Sequence, residues 1–431
     1  MADIAKEYPS WQAQDDELKL ITSMQRPWTD GFIYFFCNPP LCSSYKYTNS
    51  LTHNKNNSSM AELRFSSMLL PVLVLLLVAA AAAAFSQNGS TDGGGGRPAM
   101  VPAMFIFGDS LIDNGNNNNL PTFARANYFP YGIDFADGPT GRFSNGYTIV
   151  DEIAKLLGLP LIPPSAAPTT GPLRGLNYAS AASGILDITG RNFIGRIPFN
   201  QQIRNFENTL DQITGNLGAA TVAPVVARCI FFVGMGSNDY LNNYLMPNYP
   251  TRSQYNSRQF ADLLTQQYTQ QLSRLYNLGA RKFIIPGIGT MECIPNVLAR
   301  SSDGRCSEEV RQLVRDFNAN VRIMIGNLNA NLPGSRFTYV NIARMNGDIL
   351  ANPRAYGFTV ADRGCCGIGR NRGQITCLPY QMPCLNRDRY VFWDAFHPTE
   401  RVNIIMARRA FNGDMSVAYP FNIQQLANLD I

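Results

Sequence analysis

The chain reads as an α/β protein, a three-layer α/β/α sandwich around a mainly parallel central sheet. Short apolar runs of strand length alternate along it with longer segments whose apolar residues recur at helical spacing. Alternation of that kind builds parallel sheets covered by helices on both faces. A second pattern agrees. Three strand-like runs end in small or amide residues: Gly108-Asp109-Ser110, Ala181-Ala182-Ser183-Gly184 and Gly236-Ser237-Asn238-Asp239. In such sheets, sites form beyond the carboxyl ends of the strands.

The elements follow in order. Residues 103–107 make the first strand, and 147–157 have the apolar spacing of a helix. A second strand is expected at 175–179. Phe199, Ile203, Phe206, Leu210 and Ile213 mark one face of a helix, and residues 228–233 form another buried strand. Phe260, Leu263, Leu264, Tyr268, Leu272 and Leu275 trace the next helix, which Gly279 terminates. A strand is expected at 283–285. Ser307 is a good N-cap for a helix through Val310, Leu313, Val314, Phe317, Val321 and Met324. Pro333-Gly334 ends that helix, and 337–340 are the next strand. No internal repeat is visible, so one α/β domain is expected over residues 99–431.

At 431 residues, 45% hydrophobic and 16% charged, the chain can bury a large core. Its formal charge of +5 is spread along the length without a basic block, so no nucleic-acid partner is expected. Residues 1–59 show no periodicity and read as an extension that the mature protein lacks. From Met60, an early positive charge (Arg64) precedes an apolar run over 68–85 that holds the alanine tract 79–84 near its end. That order describes a secretory signal peptide, assigned to 60–86. The competing reading is a membrane anchor with a cytosolic head, since the run could just span a bilayer. Residues 87–98 read as a flexible linker in which Asn88-Gly89-Ser90 is an N-glycan acceptor. With the signal cleaved, no stable membrane insertion is expected.

Secretion permits disulfides. Cys293 and Cys306 bracket a short loop, whereas the spacing of Cys365, Cys366, Cys377 and Cys384 leaves their connectivity open. Cys229, in an apolar run, reads as a buried free thiol. Zinc is not expected, because Cys365 and Cys366 are adjacent and only one histidine is near. Neither a metal nor a cofactor is implied.

The segment Asp394-Ala395-Phe396-His397-Pro398 supplies an acid and a base. Pro398 disfavours helical geometry at His397, so both side chains sit on a loop and can face one site. Without residues 1–59, His397 is the only histidine left. Taken singly, each of these segments is also an ordinary turn. Together with Ser110 they make a nucleophile, its base and an orienting acid.

Four ordered blocks, Phe107-Gly108-Asp109-Ser110-Leu111, Asn177 through Leu186, Gly236-Ser237-Asn238-Asp239 and Asp394-Ala395-Phe396-His397-Pro398, resemble those of the GDSL/SGNH esterase–lipase family. Asp113-Asn114-Gly115-Asn116-Asn117, Pro130-Tyr131-Gly132, Gly141-Arg142-Phe143-Ser144-Asn145-Gly146 and Cys365-Cys366-Gly367 are similar to its plant branch. The resemblance runs from about residue 103 to 411. It implies an SGNH-hydrolase, flavodoxin-like fold, with Ser110 as nucleophile, His397 as base and Asp394 as its partner. It also implies an oxyanion hole made by the Ser110 and Gly184 N–H groups and the Asn238 amide. No Gly-x-Ser-x-Gly pentapeptide surrounds Ser110, which argues against the α/β-hydrolase fold.

The expected function is a secreted serine esterase or lipase, extracellular or in the cell wall, acting on small or polymeric carboxylic esters. Two alternatives stay open: an extracellular acyltransferase using the same site, and a non-catalytic binding protein of the same fold. Arg142 is expected in a structural ion pair, with orienting a substrate as the alternative, and Asp109 beneath the Ser110 turn. Asp113 and Asn114 are expected to brace the following loop, and Asp239 to bond within the loop holding Asn238. Residues 116–119 form a polar loop with no argued chemistry.

Overall fold

Four short strands share a pattern that puts phenylalanine in second place: β1 (Met104–Gly108), β2 (Ile230–Gly234), β3 (Lys282–Pro286) and β4 (Arg336–Val340). They pair in parallel in that order, and the register sets Phe105 beside Phe231, Phe231 beside Phe283, and Phe283 beside Phe337. The four rings form a ladder across the sheet, with centroid separations of 5.3, 5.6 and 4.1 Å. Such contacts contribute about 0.5–1.5 kcal/mol per pair beyond the area they bury. The structure is a computed structural model that describes residues 98–167 and 174–431.

The helices sort into two layers. α2 (Phe199–Leu217), α3 (Ala219–Arg228), α4 (Ser257–Asn277) and α5 (Glu308–Asn331) pack among themselves. So do α1 (Ile149–Leu156), α6 (Ile342–Ala351), α7 (Glu400–Asn412) and α8 (Ile423–Asn428). The sheet lies between them, giving the expected sandwich. Local signals set the helix starts. Asn256 and Gln259 cap α4 reciprocally, each side chain accepting from the other's N–H at 3.0 Å. Ser307 Oγ accepts the Val310 N–H at the start of α5. Just past α4, Gly279 at φ +103° turns the chain into β3.

The strand expected at 175–179 is corrected. That segment does lie along the outer edge of β1, where Ile106 donates to Leu176 and Tyr178 donates back to Ile106. Gly175, however, has φ +128°, and the Asn177 side chain accepts the Ala179 N–H, so only isolated parallel bridges form at Asn177, to Ile106 and Pro164. The run expected as strand from 228 begins instead at Ile230, because Arg228 closes α3, a helix set off from α2 by Gly218 at φ +81°. Three further strands gave no sequence signal. β5 (Val360–Gly364) pairs with β6 (Tyr390–Phe392), and β7 (Ala418–Tyr419) runs antiparallel to β4.

This topology locates the site. β1 is flanked by residues 174–178 on one side and by β2 on the other, so chain order reverses beside it. Ligands in open α/β sheets bind at such switch points, outside the carboxyl ends of the strands. The extension 1–59, the signal segment 60–86 and the glycan acceptor at Asn88 lie outside the described residues. Among the described residues, no helix is long and apolar enough to cross a membrane.

Candidate active site

β1 ends at Gly108, where the Gln202 side chain of α2 pins the strand. Its Oε1 accepts the Gly108 N–H at 3.0 Å, and its Nε2 donates to the Gly108 carbonyl at 2.9 Å. The chain then turns tightly. Ile112 and Asp113 both donate to the Asp109 carbonyl, and the Asp109 carboxylate accepts the Leu111 N–H. Ser110 rides on top of this turn, half-buried. Burial pushes the Asp109 carboxyl up to about 6 against the pull of that N–H and of His397.

β6 leads into Trp393 and the turn that carries Asp394 and His397. Asp394 Oδ1 accepts the backbone N–H groups of Phe396 and His397, both at 2.8 Å, which folds the turn back on itself. His397 Nδ1 is 2.9 Å from Asp394, and its Nε2 is 2.7 Å from Ser110 Oγ. Residues 287 positions apart in sequence thus share one line of hydrogen bonds. The Phe143 ring lies 5.1 Å from the His397 ring, fixing it from the side. Burial acts to raise the Asp394 carboxyl. His397, the Tyr131 hydroxyl and the Phe396 N–H outweigh it and hold the carboxyl below the usual carboxylate value.

Sequence reasoning missed two further partners of Asp394. Tyr131, fully buried, donates its hydroxyl to Oδ2 at 2.6 Å, and Thr376 donates to the same oxygen at 3.2 Å. Each lies in a stretch already visible as a landmark. Tyr131 is the centre of Pro130-Tyr131-Gly132, and Thr376 precedes Cys377 in the cysteine cluster. That cluster pairs as Cys365–Cys384 and Cys366–Cys377, alongside Cys293–Cys306, while Cys229 is a buried free thiol. Three disulfides fit an extracellular protein.

The structure brings Gly184 and Asn238 to the same strand ends. Asn238 donates one amide hydrogen to the Ser183 carbonyl at 2.9 Å and accepts from Asn242 Nδ2 at 2.6 Å, which leaves its second amide hydrogen unspent. Among the described residues, the Ser110 and Gly184 N–H groups donate to no protein acceptor. A Cβ on Gly184 would lie 2.6 Å from both Asp239 carboxylate oxygens, so no side chain fits there. Asp239 explains the crowding. It accepts from Ile185, Leu186 and Thr189, across to the Gly184 loop rather than within its own loop as expected. Asp113 makes a matching brace, accepting from Gly115, Asn116 and Ala181. Burial pushes both carboxyls up to about 6.

Asn114 reaches the Ile162 carbonyl at 2.6 Å, as expected of a bracing residue. The polar loop at 116–119 has a function after all: Asn116 and Asn117 are buried and donate to carbonyls of 177–181, tying the two loops together. Arg142 forms a buried bidentate pair with Asp151 at 2.8 Å, a structural contact. A cavity of about 210 Å³ opens at Ser110 and His397. Among the described residues, no group of three or more His, Cys, Asp or Glu side chains is arranged to hold a metal ion.

A serine, histidine and aspartate in hydrogen-bonded line, with free N–H groups beside the serine, suit acyl transfer. Residues 104–410 match the family model described as GDSL-like Lipase/Acylhydrolase. The chain belongs to the GDSL lipase/acylhydrolase family. Among its relatives, the Arabidopsis thaliana GDSL esterase/lipase At1g71691 is 68% identical over 333 residues, covering 77% of this chain and 87% of its own length. The GDSL esterase/lipases At1g71250 and At5g45670 of the same plant are each 53% identical over 337 residues. They cover 77% of this chain and 90% and 93% of their own lengths. As a member of the GDSL family the protein is a carboxylic-ester hydrolase, of the plant esterase/lipase type that its motifs predicted.

Proposed function

We propose that this protein is a secreted serine esterase that cleaves carboxylic esters through an acyl-enzyme on Ser110. The observation that carries the reading is the hydrogen-bonded line from Ser110 Oγ through His397 to Asp394. In this mechanism Ser110 Oγ attacks the ester carbonyl as His397 Nε2 takes its proton. Asp394 keeps Nδ1 protonated and stabilises the imidazolium. Charge collects on the carbonyl oxygen, where the Ser110 and Gly184 N–H groups and the Asn238 amide are the donors. Each such donor stabilises the transition state by about 3–4 kcal/mol. The imidazolium then protonates the departing alkoxide and the alcohol leaves. Water, deprotonated by His397, attacks the acyl-enzyme, and collapse releases the acid and restores Ser110.

The same reading takes 60–86 as a cleaved signal, 87–98 as a linker, 99–431 as the hydrolase domain, and 1–59 as absent from the mature protein. Its support is the disulfide content, which belongs to an oxidising compartment. One experiment tests both halves. The protein, expressed through its own leader in secretory cells, is treated with a fluorophosphonate and mapped by mass spectrometry. The expected result is a single adduct on Ser110, lost in Ser110→Ala, on a chain beginning after the alanine tract. Folded protein without the adduct overturns the mechanism, and a mature chain beginning before Met60 overturns secretion by cleavage.

A further inference from the structure

We propose that the cavity beside Ser110 continues as an acyl-binding cleft for linear aliphatic chains, with α6 as the wall that sets chain length. This rests on the acyl-enzyme reading above and specifies its substrate. Three observations carry it. First, Ile342, Asn346 and Leu350 stand at i, i+4 and i+8 of α6, and all three line the cavity. Met345 and Ile349, next to this stripe on the same helix, are fully buried, whereas the three residues of the stripe stay only half-buried. At 1.5 Å per residue, the stripe runs for about 12 Å.

Second, Gly234 and Pro286 end two central strands, where full burial is the norm, and both are half-exposed. The cleft passes over these strand ends, which is why their surface stays open. Third, the lining beside this stretch is mostly apolar: Ile288, Met291, Val402 and Met406 belong to it and are buried, with Thr290, Asn346 and Asn403 as its polar members. The charged residues of the cavity, Asp109 and Arg125, belong instead to the segments around the nucleophile.

An elongated apolar cleft continuous with the reacting serine selects by chain length. An acetyl group would leave the α6 stripe uncovered. A hydroxylated aromatic or sugar acyl group would have to bury several hydroxyls against a mostly apolar lining with few polar partners, which is costly. A linear chain meets neither problem, and each methylene that it buries favours binding of the transition state by about fourfold.

The test is kcat/KM for p-nitrophenyl esters from acetyl to palmitoyl and for a feruloyl ester, in the wild type, Leu350→Trp, Ile342→Trp and the control Ile323→Trp. Ile323 is exposed on α5, away from the cleft. The wild type is expected to climb steeply from acetyl to longer chains. Both α6 variants are expected to lower the palmitoyl-to-acetyl ratio at least tenfold and to move the optimum to shorter chains, while the control keeps the wild-type ratio. Acetyl or feruloyl turnover matching the long chains overturns the proposal, as does a ratio that neither α6 variant moves. Fluorophosphonate labelling of each variant separates the two claims. Labelled protein with a flat chain-length profile sinks the cleft alone, and folded protein that fails to label sinks the acyl-enzyme reading itself.

Discussion

Asp394 carries more hydrogen bonds than its role as partner of His397 requires. Two backbone N–H groups shape its turn, and Tyr131 and Thr376 hold the oxygen that the turn leaves free. A hydrogen bond to a charged group contributes about 1.5–3 kcal/mol. If Tyr131 positions Asp394 for catalysis, Tyr131→Phe is expected to lower kcat roughly tenfold or more, with KM nearly unchanged. A purely structural hydroxyl would lower the melting temperature and leave kcat alone, and steady-state kinetics beside a thermal melt distinguish the two. Ser110, Asp394 and His397 were legible in sequence because each sits in a short, distinctive motif. Tyr131 was visible as a landmark without a role, since nothing local links it to a carboxylate 263 positions away. Gln202, on an ordinary helical face, gave no signal of its grip on Gly108.

The phenylalanine ladder shows how short strands make a stable sheet. Strands of five residues offer few cross-strand pairs, and here the in-register rings of Phe105, Phe231, Phe283 and Phe337 supply them. Phe283 is fully buried and packs between Phe231 and Phe337. Phe283→Ala is therefore expected to destabilise the protein by about 3–5 kcal/mol, measured by urea unfolding. A loss under about 1 kcal/mol would show that the ladder matters little. Apolar runs marked these strands well, but periodicity is blind to conformation at single residues. The stretch 175–179 has a strand-like composition, and a glycine at positive φ together with the Asn177 side chain's hold on the Ala179 N–H keeps it from being a regular strand.

Three buried carboxyls, Asp109, Asp113 and Asp239, cluster at the strand ends, and burial pushes each up to about 6. An unfolded Asp titrates near ~3.9. Because the folded value is the higher one, these groups favour the folded protein below about pH 4, and that contribution is lost as pH rises through about 6. Asp394 acts in the opposite sense: its depressed carboxyl favours folding above the unfolded value, and the contribution is lost as pH falls. Asp109 makes a single side-chain hydrogen bond, to the Leu111 N–H, which an asparagine can keep. Relative to the wild type, Asp109→Asn is expected to gain stability between about pH 4 and pH 7, by at most about 3 kcal/mol. Melting temperatures of both proteins across that range check it, and a difference that does not change with pH would sink it.

Residue type and local pattern were enough to establish the α/β class, the order of most elements, the family and the candidate residues Ser110, Gly184, Asn238, Asp394 and His397. Strand and helix periods, caps and reactive side chains act over a few residues, so a linear reading can find them. Which cysteines pair, that Asp239 braces the Gly184 loop, and that α6 presents a half-open stripe beside the nucleophile were decided only by the folded chain. Those relations join segments tens to hundreds of residues apart, and packing alone determines which of them meet.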